Sequence, residues 1–270
     1  MNLAAKSLAL AFGSLVGLLG SAGRVDAGLI ALYQFNNPND LGLDSSGNNN
    51  NATNFGATYT GSGYQGGAAI FDSNSRQYLK APVDISPKMY PELTIGAWVQ
   101  TTALNPITGY SEGAIVSSDA GGFSRTLDVD TRGSNGTATY SAFTGTGVLS
   151  SGVSALDAGW TFVAAVYDGA NSQMTFYVGG NPGITVTTGF NTTPYSIFDI
   201  GANPGFGEYF TGEIDNVFVY DQALTSGQIS TIRANGFSSV PEPGSLTLIS
   251  IGGIAALGLA RARRLTPSRA

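Results

Sequence analysis

Short stretches of alternating apolar and polar residues recur along this chain, separated by clusters of glycine, asparagine, serine and threonine. Alternation is typical of half-buried β-strands, because successive side chains of a strand point to opposite faces of a sheet. In residues 93–100 one strand face carries Leu93, Ile95, Ala97 and Val99. Many such strands between turn clusters predict an all-β sandwich made of two antiparallel sheets.

The later strands are predicted from the same kind of pattern. Residues 160–167 are apolar on both faces, which predicts a central strand covered on each side. The turn residues 168–171 and the alternating residues 174–178 come next, so this part of the chain predicts a β-hairpin. Residues 214–220 predict a further strand, whose core candidates are Ile214, Val217 and Val219.

One helix is predicted after the last strand. Thr225 and Gln228 have the spacing of a capping box, in which each side chain satisfies a backbone N–H group of the other. Ile229 and Ile232 then form a short apolar stripe, and residues 235–236 (Asn-Gly) end the helix.

Both tryptophans of the sequence fall within predicted strands. Trp160 is expected to pack in the core. Trp98 lies on the face opposite Leu93 and Ile95, so it either packs a second layer or faces a concave surface. An exposed indole ring offers apolar area to the C–H face of a sugar ring, and Trp98 is therefore the candidate ligand-binding residue.

The N-terminal residues have the pattern of a signal peptide. Lys6 supplies a positive charge, residues 8–19 are apolar, and residues 25–27 (Val-Asp-Ala) provide a small-residue cleavage site. We therefore expect residues 1–27 to be removed during export and the folded domain to comprise residues 28–234.

The C-terminal residues combine three features. Residues 235–243 predict a linker that ends in Pro241, Glu242 and Pro243, and the apolar run 244–260 follows. At about 1.5 Å per residue, these 17 residues span roughly 25 Å, marginally enough for the hydrocarbon core of a membrane. The arginine-rich tail 261–270 would keep that end in the cytoplasm.

This order of parts resembles the PEP-CTERM sorting signal of Gram-negative bacteria. The resemblance implies that an exosortase, a membrane transpeptidase, recognises Pro241, Glu242 and Pro243 and removes the apolar tail. Before that processing the chain would contact the membrane only through a transmembrane helix at residues 244–260. A plain C-terminal membrane anchor is the alternative.

The absence of cysteine and histidine removes whole classes of chemistry. No disulfide or thiolate site can form, and no imidazole is present to act as a general base or a zinc ligand. Residues 28–240 contain 16 acidic and 6 basic side chains, which gives a net charge of −10. Such a surface repels nucleic acid, which we exclude as a partner, and suits hard cations such as calcium.

A second resemblance rests on an ordered series of short motifs rather than on any one of them. The series is Tyr33-Gln34-Phe35, residues 44–48 (Asp-Ser-Ser-Gly-Asn), Ala97-Trp98-Val99, residues 160–164 (Trp-Thr-Phe-Val-Ala), Tyr167-Asp168-Gly169, Phe176-Tyr177-Val178, Ile200-Gly201, residues 212–217 (Gly-Glu-Ile-Asp-Asn-Val) and residues 220–224 (Tyr-Asp-Gln-Ala-Leu). It resembles the laminin-G-like, concanavalin A-like domains of bacterial surface proteins. The resemblance implies a two-sheet antiparallel jelly-roll sandwich.

The loop at residues 44–51 offers a carboxylate and several amide oxygens, which are the donors that calcium prefers. In similar domains this loop and a late strand hold a structural calcium ion, and the resemblance implies Asp44, Asn48 and Asp215 as its ligands. The alternative is that Asp44 and Asn48 form Asx turns and that Asp215 caps a strand end. Asp128 and Asp130 share one strand face, but we expect no clustered donors around them.

The chain is predicted not to be an enzyme. Laminarinase-type glucanases of this fold use a Glu-x-Asp-x-Glu strand, which Glu213 and Asp215 resemble, but Val217 stands where the last glutamate is required. Retaining glycosidases need two carboxyl groups about 5–5.5 Å apart. The second carboxylate is therefore missing from this motif.

These features predict an exported, non-catalytic protein of the cell surface or extracellular matrix that binds polysaccharide. One alternative is a structural coat protein of the matrix with no defined ligand. A second alternative is a glycoside hydrolase or lyase of the same fold, which would need two carboxylates facing each other in a groove.

Overall fold

Eighteen β-strands and one α-helix form in the computed structural model, which describes residues 28–107, 109–156, 158–189 and 196–237. The strands are β1 (Leu29–Tyr33), β2 (Thr53–Phe55), β3 (Thr58–Thr60), β4 (Ala68–Phe71), β5 (Tyr78–Ala81), β6 (Leu93–Ala103), β7 (Pro106–Ile107), β8 (Tyr110–Ser117), β9 (Thr126–Asp130), β10 (Thr139–Phe143), β11 (Val148–Ser154), β12 (Thr161–Asp168), β13 (Gln173–Val178), β14 (Ile184–Thr187), β15 (Phe198–Ile200), β16 (Ala202–Asn203), β17 (Glu208–Tyr209) and β18 (Thr211–Tyr220). The helix α1 is Ser226–Asn235.

The predicted signal peptide at residues 1–27, the sorting residues Pro241, Glu242 and Pro243, the apolar run 244–260 and the tail 261–270 lie outside the described residues. Within the described part of the chain, no helix is long and apolar enough to cross a membrane.

The strands form two large antiparallel sheets. Sheet I has the order β14-β13-β12-β6-β18-β4-β3, with β1 also paired to β18, and sheet II has the order β11-β10-β9-β8-β15-β5-β2, with β7 paired to β8. The short hairpin β16-β17 stands apart from both sheets. The predicted all-β, two-sheet antiparallel sandwich is confirmed, and its strand order is consistent with the expected jelly roll.

The main core contains the inward-facing side chains of the sheets. Leu93, Ile95, Ala97 and Val99 of β6 are all buried in it, as their alternation predicts. The strand β18 changes phase at a bulge, where Asn216 has a φ of 52° and the pairing with β6 shifts. That bulge is why the core side chains of this strand are Ile214, Val217 and Val219, which do not alternate strictly.

A second hydrophobic layer covers the outer face of sheet I. Strand β12 is apolar on both faces because Val163 points into the main core while Phe162 points into this outer layer. Ile229 and Ile232 of α1 close the layer from outside. Both hydrogen bonds of the predicted capping box of α1 are present.

The prediction that Trp160 lies within a strand and packs in the core is wrong. Trp160 lies immediately before β12 rather than within a strand, and it is half-buried and belongs to neither hydrophobic layer. The strand begins at Thr161, so the apolar residues of β12 fill the core without help from the indole ring.

Candidate functional site

The outer face of sheet II is polar, in contrast to the helix-covered face of sheet I. Leu127 and Val129 of β9 point into the core, so Asp128 and Asp130 point outward from the same strand. Glu112 of the neighbouring strand β8 lies directly opposite Asp130. Strand register therefore brings three carboxylates together, and each of these residues has no exposed surface.

These three residues form what we call the acid cluster: Glu112, Asp128 and Asp130. Each offers a carboxylate oxygen, and the three oxygens lie within 4.8 Å of one another. Arg132 joins the cluster from the end of β9: its Nε lies 2.7 Å from Asp130 Oδ2, and its Nη2 pairs with Glu112 Oε2. The same nitrogen lies 3.7 Å from Glu208 Oε1.

Aromatic rings surround the guanidinium group of Arg132. Its central carbon lies 4.1 Å from the ring centroid of Tyr110, 5.4 Å from that of Phe143 and 5.9 Å from that of Phe123. These rings and the guanidinium separate the acid cluster from solvent, although the Arg132 side chain itself is 26% exposed. Cation–π attraction adds to the ion pairs at such a partly desolvated site.

Glu208 ties the β16-β17 hairpin to this site. The hydroxyl of Tyr110 donates to Glu208 Oε1 over 3.0 Å, and the amide of Asn203 donates to Glu208 Oε2 over 2.6 Å. Both oxygens of Glu208 are thus satisfied, whereas Glu112 Oε1 and both oxygens of Asp128 meet no hydrogen-bond donor among the described residues.

The buried charges do not balance. Four carboxylates (Glu112, Asp128, Asp130 and Glu208) face one guanidinium, because every salt bridge among the described residues involves Arg132. Burial, and after it the neighbouring negative charges, raises the pKa of Glu112 and Asp128. Burial also raises the pKa of Asp130, against the opposing contacts of Arg132. The site therefore favours added positive charge, either as protons or as a cation.

An aromatic strip lies on the same outer face of sheet II, on strands β2 and β5 and the hairpin strand β17. Phe55 and Tyr78 stack with a centroid distance of 4.6 Å and an interplanar angle of 5°, and Tyr209 meets Tyr78 edge-on at 6.4 Å. The ammonium group of Lys80 lies 5.7 Å from the Phe55 centroid and 5.8 Å from that of Tyr78. We call Phe55, Tyr78 and Tyr209 the aromatic strip.

A groove of about 400 Å³ lies beside the aromatic strip. Its lining is mostly polar and consists of Ser73, Asn74, Arg76, Asn105, Pro204, Gly207 and Tyr209. The side chain of Asn105 donates to the carbonyl of Gly207 over 2.8 Å, which links the loop after β6 to the β16-β17 hairpin. Tyr209 belongs both to the strip and to the groove.

Asp44, which the sequence predicted as a calcium ligand, is a hydrogen-bond acceptor in the structure. Its carboxylate accepts hydrogen bonds from the backbone N–H groups of Leu32, Ser46 and Asn50 and from the hydroxyl of Ser46, all between 2.8 and 3.0 Å. The bond from Ser46 N–H is an Asx turn, the alternative that the sequence allowed. The amide of Asn48 donates to two carbonyl groups of β1.

Asp215 has different neighbours from Asp44. It lies within β18 rather than at a strand end, and its Oδ2 accepts a hydrogen bond from the N–H of Gln65 over 2.9 Å. Burial raises the pKa of Asp215 to about 7, against the opposing effect of backbone hydrogen bonds. The hydrogen bonds described for Asp44, Asn48 and Asp215 do not join these residues to one another. The calcium site at these residues stays a prediction.

Trp98 lies on the outer face of sheet I. Tyr64 stacks on its indole ring with a centroid distance of 3.4 Å, and Phe162 meets it edge-on at 5.5 Å. The ring is half-buried and packs against the outer hydrophobic layer. This is the second-layer packing that the sequence offered as one alternative, and a sugar-binding role for Trp98 stays a prediction.

The main residues that sequence reasoning missed are Glu112, Arg132 and Glu208. The shared face of Asp128 and Asp130 was predicted correctly, but the expectation that no donors cluster around them was wrong. Register between β8 and β9 brings in Glu112, and a hairpin far along the chain brings in Glu208. Arg132, two residues after Asp130, was the one local signal of a charged partner.

Two antiparallel sheets packed face to face, one of them with a largely polar outer face, form a β-sandwich. The family model of the concanavalin A-like lectin/glucanases superfamily matches residues 72–230, more than half of the chain. The protein therefore belongs to this superfamily, in its laminin-G-like family, and the second resemblance is confirmed.

Solved structures share the fold at low sequence identity. Domain 4 of AbnA, an extracellular GH43 arabinanase of Geobacillus stearothermophilus in complex with arabinotriose, is 22% identical with a TM-score of 0.56, and the match covers 77% of this chain and 99% of that domain. The binding domain of botulinum neurotoxin DC in complex with SialylT is 14% identical with a TM-score of 0.53, covering 78% of this chain and 52% of the toxin domain.

A third similar structure is the binding domain of Paraclostridial Mosquitocidal Protein 1, 15% identical with a TM-score of 0.56, for which the match covers 80% of this chain and 54% of that domain. This chain thus spans about half the length of the two toxin binding domains. Comparison with curated protein sequences gives no match.

Proposed function

We propose that this protein binds carbohydrate without catalysing its breakdown, and that the glycan lies on the outer face of sheet II. The observation that carries the proposal is the meeting of the aromatic strip with the polar groove at Tyr209. Sugar recognition needs both kinds of surface, because a sugar ring has apolar C–H faces and a polar rim of hydroxyl groups.

The aromatic strip suits the apolar part of this task. Phe55 and Tyr78 stack with nearly parallel planes, and Phe55 is 43% exposed, so part of the Phe55 ring remains free of protein cover and open to a ligand. Aromatic rings of this kind provide large, rigid contact area at low entropic cost. Lys80, held over both rings, adds a donor at the edge of the strip.

The polar groove suits the hydroxyl groups of a sugar. Asn74, Arg76 and Asn105 bring amide and guanidinium groups to its wall, and these groups can donate to sugar hydroxyls. A volume of about 400 Å³ lies at the lower end of the range for small-molecule sites, roughly 300–1,000 Å³.

The neighbouring structures support this class of ligand. One is in complex with arabinotriose and another with SialylT. The net charge of −10 across residues 28–240 disfavours an anionic glycan, because like charges repel. A neutral oligosaccharide is therefore the first ligand to test.

The acid cluster supports binding rather than hydrolysis. Its three carboxylates are fully buried, and their oxygens lie within 4.8 Å of one another beneath Arg132. A retaining glycosidase needs its two carboxyl groups about 5–5.5 Å apart on either side of the scissile bond, in contact with substrate. On β18, the bulge turns Val217 into the core, away from the face of Asp215.

Calorimetric titration of the full chain with arabinotriose, and affinity electrophoresis in gels containing neutral polysaccharides, test the proposal. We expect Phe55→Ala and Tyr209→Ala each to weaken binding at least about tenfold, equivalent to about 1.4 kcal/mol. Trp98→Leu, which removes the aromatic candidate on sheet I, should bind as the wild type does. Loss of binding in Trp98→Leu alone would move the site to sheet I, and no binding of any probe would favour the coat protein. Release of reducing sugar would favour the hydrolase.

The proposal also includes export and sorting. The sequence of residues 1–27 supports a signal peptide, and Pro241, Glu242 and Pro243 before an apolar run support recognition by an exosortase. In a Gram-negative host that has an exosortase, the double variant Pro241→Ala, Pro243→Ala should remain in the inner-membrane fraction, whereas the wild type reaches the cell surface. Equal distribution of both proteins in cell fractionation would contradict the sorting role.

A further inference from the structure

We propose that Glu112, Asp128 and Asp130 bind a calcium ion on the outer face of sheet II. The geometry is the first reason. One carboxylate oxygen from each residue lies within 4.8 Å of the others, so a single ion can contact all three. The donors come from two adjacent strands, which hold them rigidly in register.

The second reason is independent of the clustering. Among the described residues, neither oxygen of Asp128 and not Oε1 of Glu112 meets a hydrogen-bond donor, although all three atoms are buried. Asp128 is fully buried and faces the other two carboxylates. Glu112 could satisfy Asp128 only if one of the two carried a proton. Buried polar groups are nearly always satisfied, so these oxygens require a partner.

The charges give the third reason. Glu112, Asp128, Asp130 and Glu208 carry four negative charges when ionised, and Arg132 supplies one positive charge. Uncompensated charge in a buried site is costly. A divalent cation would reduce the net charge of the site from −3 to −1.

The donor set selects the type of ion. All candidate ligands are carboxylate oxygens, which suit hard cations, and the sequence has no cysteine or histidine for softer metals. Calcium–oxygen distances of about 2.3–2.6 Å place opposite ligands up to roughly 5 Å apart, whereas magnesium needs distances of about 2.0–2.1 Å. The three oxygens lie within 4.8 Å of one another, a span that a calcium ion can bridge, and calcium also accepts irregular ligand geometry that magnesium does not.

The experiment uses the full chain after treatment with a chelator. Calcium binding is measured by equilibrium dialysis, and the thermal midpoint is measured with and without calcium. We expect one ion per chain at the acid cluster and a higher midpoint when calcium is present. Asp128→Asn, which keeps the shape of the side chain, should weaken calcium binding at least about a hundredfold and abolish the shift in midpoint.

Asp215→Asn is the matched control, because it changes the other buried carboxylate that the sequence linked to calcium. It should keep the calcium-dependent shift. Glu112→Gln provides a second test should Asp128→Asn fail to fold. The proposal is overturned if calcium does not bind, and a greater stability of Asp128→Asn than of the wild type would then show that protons satisfy the cluster. It is also overturned if Asp215→Asn loses the ion and Asp128→Asn keeps it.

Discussion

Arg132→Met should lower the free energy of unfolding by about 3–5 kcal/mol at pH 8 in the presence of a chelator. The substitution removes the cation that pairs with Glu112 and Asp130 and lies near Glu208. The Asp130 carboxylate would then stay buried without an opposite charge, and removing one partner of a buried ion pair is far more damaging than never having made the pair. Urea denaturation followed by circular dichroism measures the loss.

Two controls separate charge from geometry and from general surface effects. Arg132→Lys keeps the positive charge but loses the planar group that reaches two carboxylates, so its loss should be smaller. Arg76→Met changes an exposed arginine that makes no salt bridge among the described residues, and should shift stability by no more than about 0.5 kcal/mol. The loss in Arg132→Met should also shrink as the pH falls from 8 to 5, because burial raises the pKa of Asp130 and the substitution removes the Arg132 contacts that oppose this rise, so its carboxyl takes up a proton more readily. An equal loss at both pH values would show that packing of the Arg132 stem, not its charge, is what matters.

Local pattern was enough to predict several elements of this fold and part of its core. Alternation in residues 93–100 identified the inward face of β6, and the spacing of Thr225 and Gln228 identified the start of α1. The core residues of β18 were also predicted, although strict alternation would have excluded the set of Ile214, Val217 and Val219. Their spacing makes sense only with the bulge at Asn216, which the sequence did not reveal.

Long-range register explains what the sequence could not provide. Asp128 and Asp130 share a face because of local alternation, but Glu112 joins them only because β8 pairs with β9 in one register. A slip of one residue would turn Glu112 to the opposite face. The aromatic strip has the same origin: Phe55 and Tyr78 are distant in sequence and become neighbours through the pairing of β2 with β5.

The outer faces of the two sheets differ in the side chains that they present. On sheet I, Phe162, Phe218 and the isoleucines of α1 close the face with apolar contacts. On sheet II, the strands present carboxylates, aromatic rings and a groove instead. The helix thus makes one sheet a structural layer, which leaves the other as the surface on which the proposed glycan site and the calcium site would both lie.

Asp215 is the buried carboxylate of the structural sheet, and Asp215→Asn should stabilise the protein at pH 8 by about 2–4 kcal/mol. In the folded state burial raises its pKa to about 7, from the ordinary value of 3.8. Between these pH values the folded protein holds a proton on Asp215 that the unfolded chain has released. Stability therefore falls as pH rises through this window, by about 1.4 kcal/mol per pH unit for this one group. Asparagine is neutral at every pH and keeps an oxygen to accept from Gln65 N–H.

The test compares the free energy of unfolding of the wild type with that of Asp215→Asn at each pH. Neither pH profile alone is sufficient, because the acid cluster titrates as well in both proteins. Urea denaturation at pH 4, 6 and 8 should show nearly equal stabilities at pH 4 and a growing advantage of Asp215→Asn above it. A constant difference in stability at all three pH values would contradict the raised pKa of Asp215.

If Asp215 binds calcium as the sequence suggested, its ionised form is the stabilised one. The advantage of asparagine at pH 8 would then vanish or reverse on adding calcium and return with a chelator. If the greater stability of Asp215→Asn at pH 8 does not depend on calcium, the buried, protonated carboxyl group of Asp215 is the explanation.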